Sequence, residues 1–144
     1  EHISEFDPYG DHTDPHVTEA PAAIDGNPST AWHTQTFLGN AHLGNRKPGV
    51  GLLVDFGRAR TVSGVHLLLL GSGTTVVVME SNAAAAPTTD TDMTAVATLA
   101  DAGADATIHL DKPASARFWL VWLTKLPAAD GGFRGGIAEM TFLP

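Results

Sequence analysis

Asp25, Asn27 and Thr30 set three short oxygen-bearing side chains at positions i, i+2 and i+5 of the segment AIDGNPSTAWHT (23–34). Gly26, between the first two, supplies the backbone freedom that a tight turn needs. Such a loop suits calcium, a hard cation that gathers six to eight oxygens, several of them backbone carbonyls. The same residue types also cap turns with no ion present, Asp25 and Asn27 accepting local amide hydrogen bonds. A further acid, Glu139, lies within IAEMTF (137–142) and has strand parity opposite to Met140 and Phe142. A half-buried carboxylate there needs a partner, which is either a cation or a nearby Lys or Arg.

A second set of candidates combines aromatic rings with positive charge. Phe37, His42, Arg46 and Lys47 fall in the long connection before KPGVG, and Lys125, Phe133 and Arg134 flank the Gly-rich AADGGFRGG. Read as exposed loop residues, they suit stacking on a sugar ring or docking to a peptide, carboxylate or phosphate. Ordinary solvated loop positions have the same appearance. His2, His12 and His16, with Asp7, Asp11 and Asp14, form a polar cluster near the start of the chain. Pro15 argues against a helix that would align His12 with His16, and no recognised zinc spacing is present. We read residues 1–16 as a solvated terminal arm in which Phe6 and Tyr9 are the anchors. Its first five residues offer only Ile3 for burial.

The elements that position these residues read as nearly all β. Runs at 50–56, 62–70, 74–81, 95–100, 107–110, 117–126 and 137–142 are β-rich and punctuated by Gly, Pro, Asn and Asp. In 117–126, Phe118, Leu120, Trp122 and Leu126 share one parity, while Trp119, Val121 and Leu123 share the other. A strand apolar on both faces belongs in the middle of a sandwich. His66 and His109 fall inside strands and read as structural, and Trp119 and Trp122 as core. Residues 82–93 read as a loop because of Pro87 and a Thr/Asp cluster. Asn27 before Pro28 predicts one helical turn over 29–32, which Trp32 anchors.

Composition narrows the function. The 144 residues carry no cysteine and a formal charge of −8, and seven of the sixteen acids precede the first basic residue, Arg46. Such a surface repels nucleic acid and anionic lipid. The longest apolar run, around 65–70, has strand length, far short of a membrane span. Catalysis finds little support: there is no cysteine nucleophile, no G-x-S-x-G elbow, and no carboxylate pair that the sequence marks as an acid–base couple. The expectation is a non-enzymatic fragment of an exported protein.

The Asp25–Trp32 segment resembles the opening loop of discoidin-type domains, also called coagulation factor V/VIII C-type or galactose-binding-like. FDPYGD, AIDGNPSTAWHT, KPGVGLLVDFG, RFWLVWLTKLP and GFRGGIAEMTF occur in that order along the chain. Together they resemble the extracytoplasmic C-terminal domain of actinobacterial MviN-type proteins, the lipid II flippase family of peptidoglycan synthesis. Similar modules occur on actinobacterial serine/threonine kinases. The resemblance implies an all-β antiparallel sandwich, a single jelly roll over 1–144, in which a glutamate on the last strand (Glu139 here) closes a cation site with the Asp25 loop. It further implies a binding module outside the plasma membrane, tethered through its parent protein, whose partner is a cell-wall glycan, a peptidoglycan precursor or an envelope protein. A protein-docking module without sugar binding and a kinase sensor domain are the alternatives.

Overall fold

A computed structural model of the chain describes residues 2–10, 14–129 and 131–144. Its strands, in chain order, are β1 (His2–Phe6), β2 (Trp32–His33), β3 (Val50–Leu69), β4 (Thr74–Ser81), β5 (Thr94–Ala102), β6 (Asp105–Lys125), β7 (Ala128–Ala129), β8 (Gly132–Phe133) and β9 (Gly136–Leu143). Seven of them form one antiparallel sheet in the order β2-β9-β3-β6-β4-β5, with β1 added beside β3. The β7–β8 pair is a small separate hairpin.

β3 and β6 are long because each unites two of the runs expected from sequence. Their pairing slips between Asp55 and Arg60 and again between Val62 and Gly64. On one side of this break β3 is flanked by β1, and on the other by β9. The bent β3–β6 pair therefore runs through both layers of the antiparallel jelly-roll sandwich.

Between the layers lie Leu52, Val54, Val65, Leu67, Val76, Val78, Trp119, Val121, Ile137 and Phe142. Trp119 donates its Nε1–H to the Ala116 carbonyl at 2.9 Å, so the indole is buried with its polar atom satisfied. The opposite parity of β6 forms a second apolar cluster, in which Phe118, Leu120 and Trp122 pack with Leu53 and Phe6. That accounts for a strand apolar on both faces. Leu126 departs from the expected parity: it follows the end of β6 and turns into the main core. A side chain at Gly49 would meet the Trp122 ring at 2.3 Å, and one at Gly51 the Val121 carbonyl oxygen at 2.1 Å, so close packing against β6 accounts for the glycines of KPGVG.

The expected solvated arm does not match residues 2–6. β1 pairs with β3 from His2↔Asp55 to Phe6↔Gly51, Ile3 and Phe6 are buried, and the Phe6 ring meets Trp122 edge-on with centroids 5.9 Å apart. One buried isoleucine and one buried phenylalanine suffice, because the backbone ladder adds to them. Tyr9 is exposed and anchors through its hydroxyl, which donates to Asp90 at 2.6 Å, rather than through its ring. Asp11 and His12 lie outside the described residues. A ten-residue 3-10 segment, Pro15–Ile24, follows, its start capped by Asp14, which accepts from the His16 amide at 2.8 Å. His66 points to Asp105 at 2.7 Å on the outer surface, and His109 is also exposed.

Candidate functional site

The 3-10 segment delivers the chain to Asp25, and the next six residues fold tightly on themselves. Asp25 accepts the Asn27 amide at 2.9 Å and the Thr30 hydroxyl at 2.5 Å. Asn27 accepts the Ser29 amide through Oδ1 at 3.0 Å and the Thr30 amide through its carbonyl at 3.1 Å. Gly26 has φ +77°, the left-handed region that glycine adopts at least cost. The helical turn expected over 29–32 is a single β-turn instead. Its propagation stops because Trp32 is claimed by the β2–β9 ladder, opposite Ile137. The Trp32 ring is fully buried, and its Nε1–H donates to Glu5 at 2.7 Å.

The β2–β9 ladder also brings Glu139 to the turn. Burial, and then the neighbouring Asp25 carboxyl, push the Glu139 carboxyl above its ordinary value, while the Gly26 and Asn27 amides pull the other way. Asp25 moves down, chiefly because the Thr30 hydroxyl and the Asn27 amide donate to it. The two carboxyls are therefore pushed in opposite directions, Glu139 towards its neutral form and Asp25 towards its charged form. Among the described residues no Lys or Arg forms an ion pair with Glu139, and its Oε1 is buried without a hydrogen bond. A groove of about 330 Å³, bordered by Ile24, Gly26, Arg60 and Glu139, opens beside the turn. Two carboxylates, one of them with an orphaned oxygen, an amide oxygen and a hydroxyl make a donor set suited to a hard divalent cation.

The aromatic and basic candidates divide into two groups. Phe37 is 6% exposed and belongs to the main core, and its backbone exchanges hydrogen bonds with Phe133 at 2.7 and 2.8 Å. Phe133 is half-buried against that core. Lys47, 7% exposed, grips both oxygens of Asp7 at 2.9 Å and lies over the Phe37 ring. Phe37 and Lys47 are therefore scaffold, not exposed recognition residues. The sequence reading could not see that residues 34–37 would be sewn to residues 133–135, which lead from β8 to β9, by backbone bonds and by the buried Thr34 hydroxyl, which accepts from the Gly135 amide at 3.0 Å.

The remaining cations stay near the surface. Arg46 is exposed and borders an open groove of about 510 Å³ with His42, Asn45, Pro48 and Thr124. Arg134 borders a second cavity of about 280 Å³ with His33, Leu70 and Pro127, and its amide donates to the Pro127 carbonyl at 3.0 Å. Lys125 pairs with Asp101 at the surface. The Phe37–Phe133 bridge joins the two expected recognition loops at a common edge.

Glu5 escaped the sequence reading. Burial is the main cause that lifts its carboxyl to about 8, opposed by the Trp32 donor and reinforced by Asp14 and Asp7. The signal was present in the alternation of β1, which faces Ile3 and Glu5 the same way, but an arm read as solvated gave no reason to use it.

No family model matches this sequence. The fold, however, is shared across its whole length with solved carbohydrate-binding modules. Chitosan-binding module 1 from the chitosanase/glucanase of Paenibacillus sp. IK-5 superposes with a TM-score of 0.71 at 17% identity, covering 100% of this chain and 95% of that one. The family 32 module of AlyQ, solved with 4,5-unsaturated mannuronic acid, gives 0.65 at 16% identity, over 99% and 93% of the two chains. A module termed CpGH89CBM32-6, produced by Clostridium perfringens, gives 0.64 at 14%, over 98% and 90%. The class is thus a discoidin-like jelly roll of the kind that family 32 carbohydrate-binding modules adopt.

Proposed function

We propose that this chain is a non-catalytic glycan-recognition module, held outside the plasma membrane as part of an MviN-type envelope protein. Its ligand is a cell-wall glycan or a peptidoglycan precursor. The observation that carries this reading is the loop edge joined by the Phe37–Phe133 bridge, where an open groove presents the exposed Arg46 beside amide, imidazole and proline groups. Rigid loops with a few polar groups over an apolar floor suit a sugar, and guanidinium groups suit the carboxylates of an anionic muropeptide. Modules of the same fold whose names state chitosan binding lend the proposal support by analogy of fold alone. The order of FDPYGD through GFRGGIAEMTF along the chain supports the MviN-type parentage.

Titration calorimetry with chitosan oligosaccharides and purified muropeptides tests the assignment. Saturable binding, weakened about tenfold or more in Arg46→Ala with unchanged melting temperature, is the expected outcome. Binding to an envelope protein with no response to any of these glycans would replace the reading with a protein-docking module.

Calcium at the Asp25 turn belongs to the same proposal and has a structural role. Asp25, Asn27, Thr30 and Glu139 would hold the ion, neutralising two neighbouring acids and fixing the turn against β9. A ligand that binds only the folded state at 100 times its dissociation constant adds about 2.7 kcal/mol. EDTA should therefore lower the melting temperature and calcium restore it. An unchanged curve would leave Asp25 and Asn27 as turn caps only.

A further inference from the structure

The 3-10 segment Pro15–Ile24 advances three residues per turn, so His16 and Glu19 stand in line on one side of it. β2 brings His33 to the same place. One oxygen of Glu19, Oε1, lies 3.1 Å from His16 Nδ1, 2.9 Å from His33 Nδ1 and 3.0 Å from the His33 amide nitrogen. The nearest ligand atoms of the three side chains all fall within 4.8 Å of one another, and the two imidazole rings are 5.8 Å apart at their centroids. We propose that His16, Glu19 and His33 form a zinc-binding site that clips the 3-10 segment to β2.

The donor chemistry selects the metal. Two imidazole nitrogens and a carboxylate oxygen match zinc, whereas calcium takes oxygen almost exclusively. Tetrahedral zinc with bonds of 2.0–2.1 Å separates its ligand atoms by about 3.3 Å, so the observed 2.9 and 3.1 Å need to open by only a few tenths of an ångström. Each histidine then carries its proton on Nε2 and turns the Nδ1 lone pair to the metal. The His33 amide continues to hold Glu19 in place, which is the usual outer support of a ligating carboxylate. Side-chain exposures of 24%, 32% and 29% let an ion enter from solvent without unfolding the chain. Three protein ligands leave the fourth position to water or to an incoming group. The site is separate from the Asp25 turn in chemistry, yet the 3-10 segment that it would pin ends at that turn. The proposal does not depend on glycan binding.

Metal-stripped protein titrated with zinc chloride tests this. One equivalent should bind and raise the melting temperature, and cobalt in its place should give the visible absorption of a tetrahedral site. His16→Gln and His33→Gln should each weaken zinc binding by about tenfold or more, with unchanged far-ultraviolet circular dichroism and an unchanged calcium response. His66→Gln, whose ring faces only Asp105, should bind zinc as the parent does. If His33→Gln misfolds, His16→Gln decides the matter alone. Absence of saturable binding, or equal affinity in both variants and the parent, would overturn the site and leave a hydrogen-bonded His–Glu–His clasp.

Discussion

At the N-terminal face the Lys47 ammonium holds Asp7 at 2.9 Å with both side chains nearly out of water, while at the Asp25 edge Glu139 lies beside another carboxyl and, among the described residues, pairs with no Lys or Arg. The first supplies the opposite charge from within the chain. The second supplies backbone amides and a hydroxyl, which settle Asp25 but leave an oxygen of Glu139 without a bond. A charge matched internally marks scaffold, and the acid left without such a match is where the proposed calcium would act. The contrast also sorts the basic residues, since Lys47 is consumed by the fold whereas Arg46 stands exposed beside it.

Deleting residues 1–6 should have the largest effect. It strips Ile3 and Phe6 from buried positions and a whole ladder from β3, for a loss on the order of 4 kcal/mol in urea denaturation. A loss below 1 kcal/mol would return the segment to the status of an arm. Lys47→Ala comes next. It leaves Asp7 uncompensated beside Glu5 and Asp14, at about 3 kcal/mol, a drop of roughly 10 °C by calorimetry. A melting temperature within a degree or two of the parent would mean that Asp7 stays solvated and that the contrast between the two faces is false.

Glu139→Gln acts in the opposite direction. Removing one of two neighbouring acids should raise the melting temperature by a few degrees without calcium and abolish any response to calcium. A variant still stabilised by calcium places the ion elsewhere.

Glu5 predicts a pH effect. Its carboxyl titrates near 8 in the folded state and near its ordinary 4.5 when unfolded, so between those values the folded chain holds the extra proton. Its contribution to stability is complete below the lower value and is lost as pH rises through about 8. Glu5→Gln, which mimics the protonated form, should flatten the decline between pH 6 and 9, and an equal decline in both proteins would assign it to other groups. The smallest effect belongs to Lys125→Ala: its pair with Asp101 is solvated, and less than 1 kcal/mol should be lost.

The strands were legible because burial on alternate positions writes itself into sequence, and 74–81 matches β4 residue for residue. The doubly apolar run at 117–126 also gave its central position correctly, since β6 lies between β3 and β4. The joining of 50–56 to 62–70 was not legible, because residues 57–61 (GRART) look like an ordinary turn: Gly57 has φ +77°, and pairing with β6 lapses after Asp55 and resumes only at Arg60. The meeting of Asp25 with Glu139 followed from family resemblance. The burial of Phe37 did not, because backbone pairing to Phe133 leaves no mark on residue type. His16 and His33 escaped as a pair because a 3-10 segment and a two-residue strand carry too little periodicity to be read.

The bent pair of long strands makes the sandwich mechanically indivisible. Since β3 and β6 each pass through both layers, neither layer can peel away while the other keeps its register, and a one-residue slip would turn apolar side chains outward on both at once. Amide exchange from the two layers should therefore share one opening free energy, as if the two walls of the barrel-like shell were cut from a single ribbon.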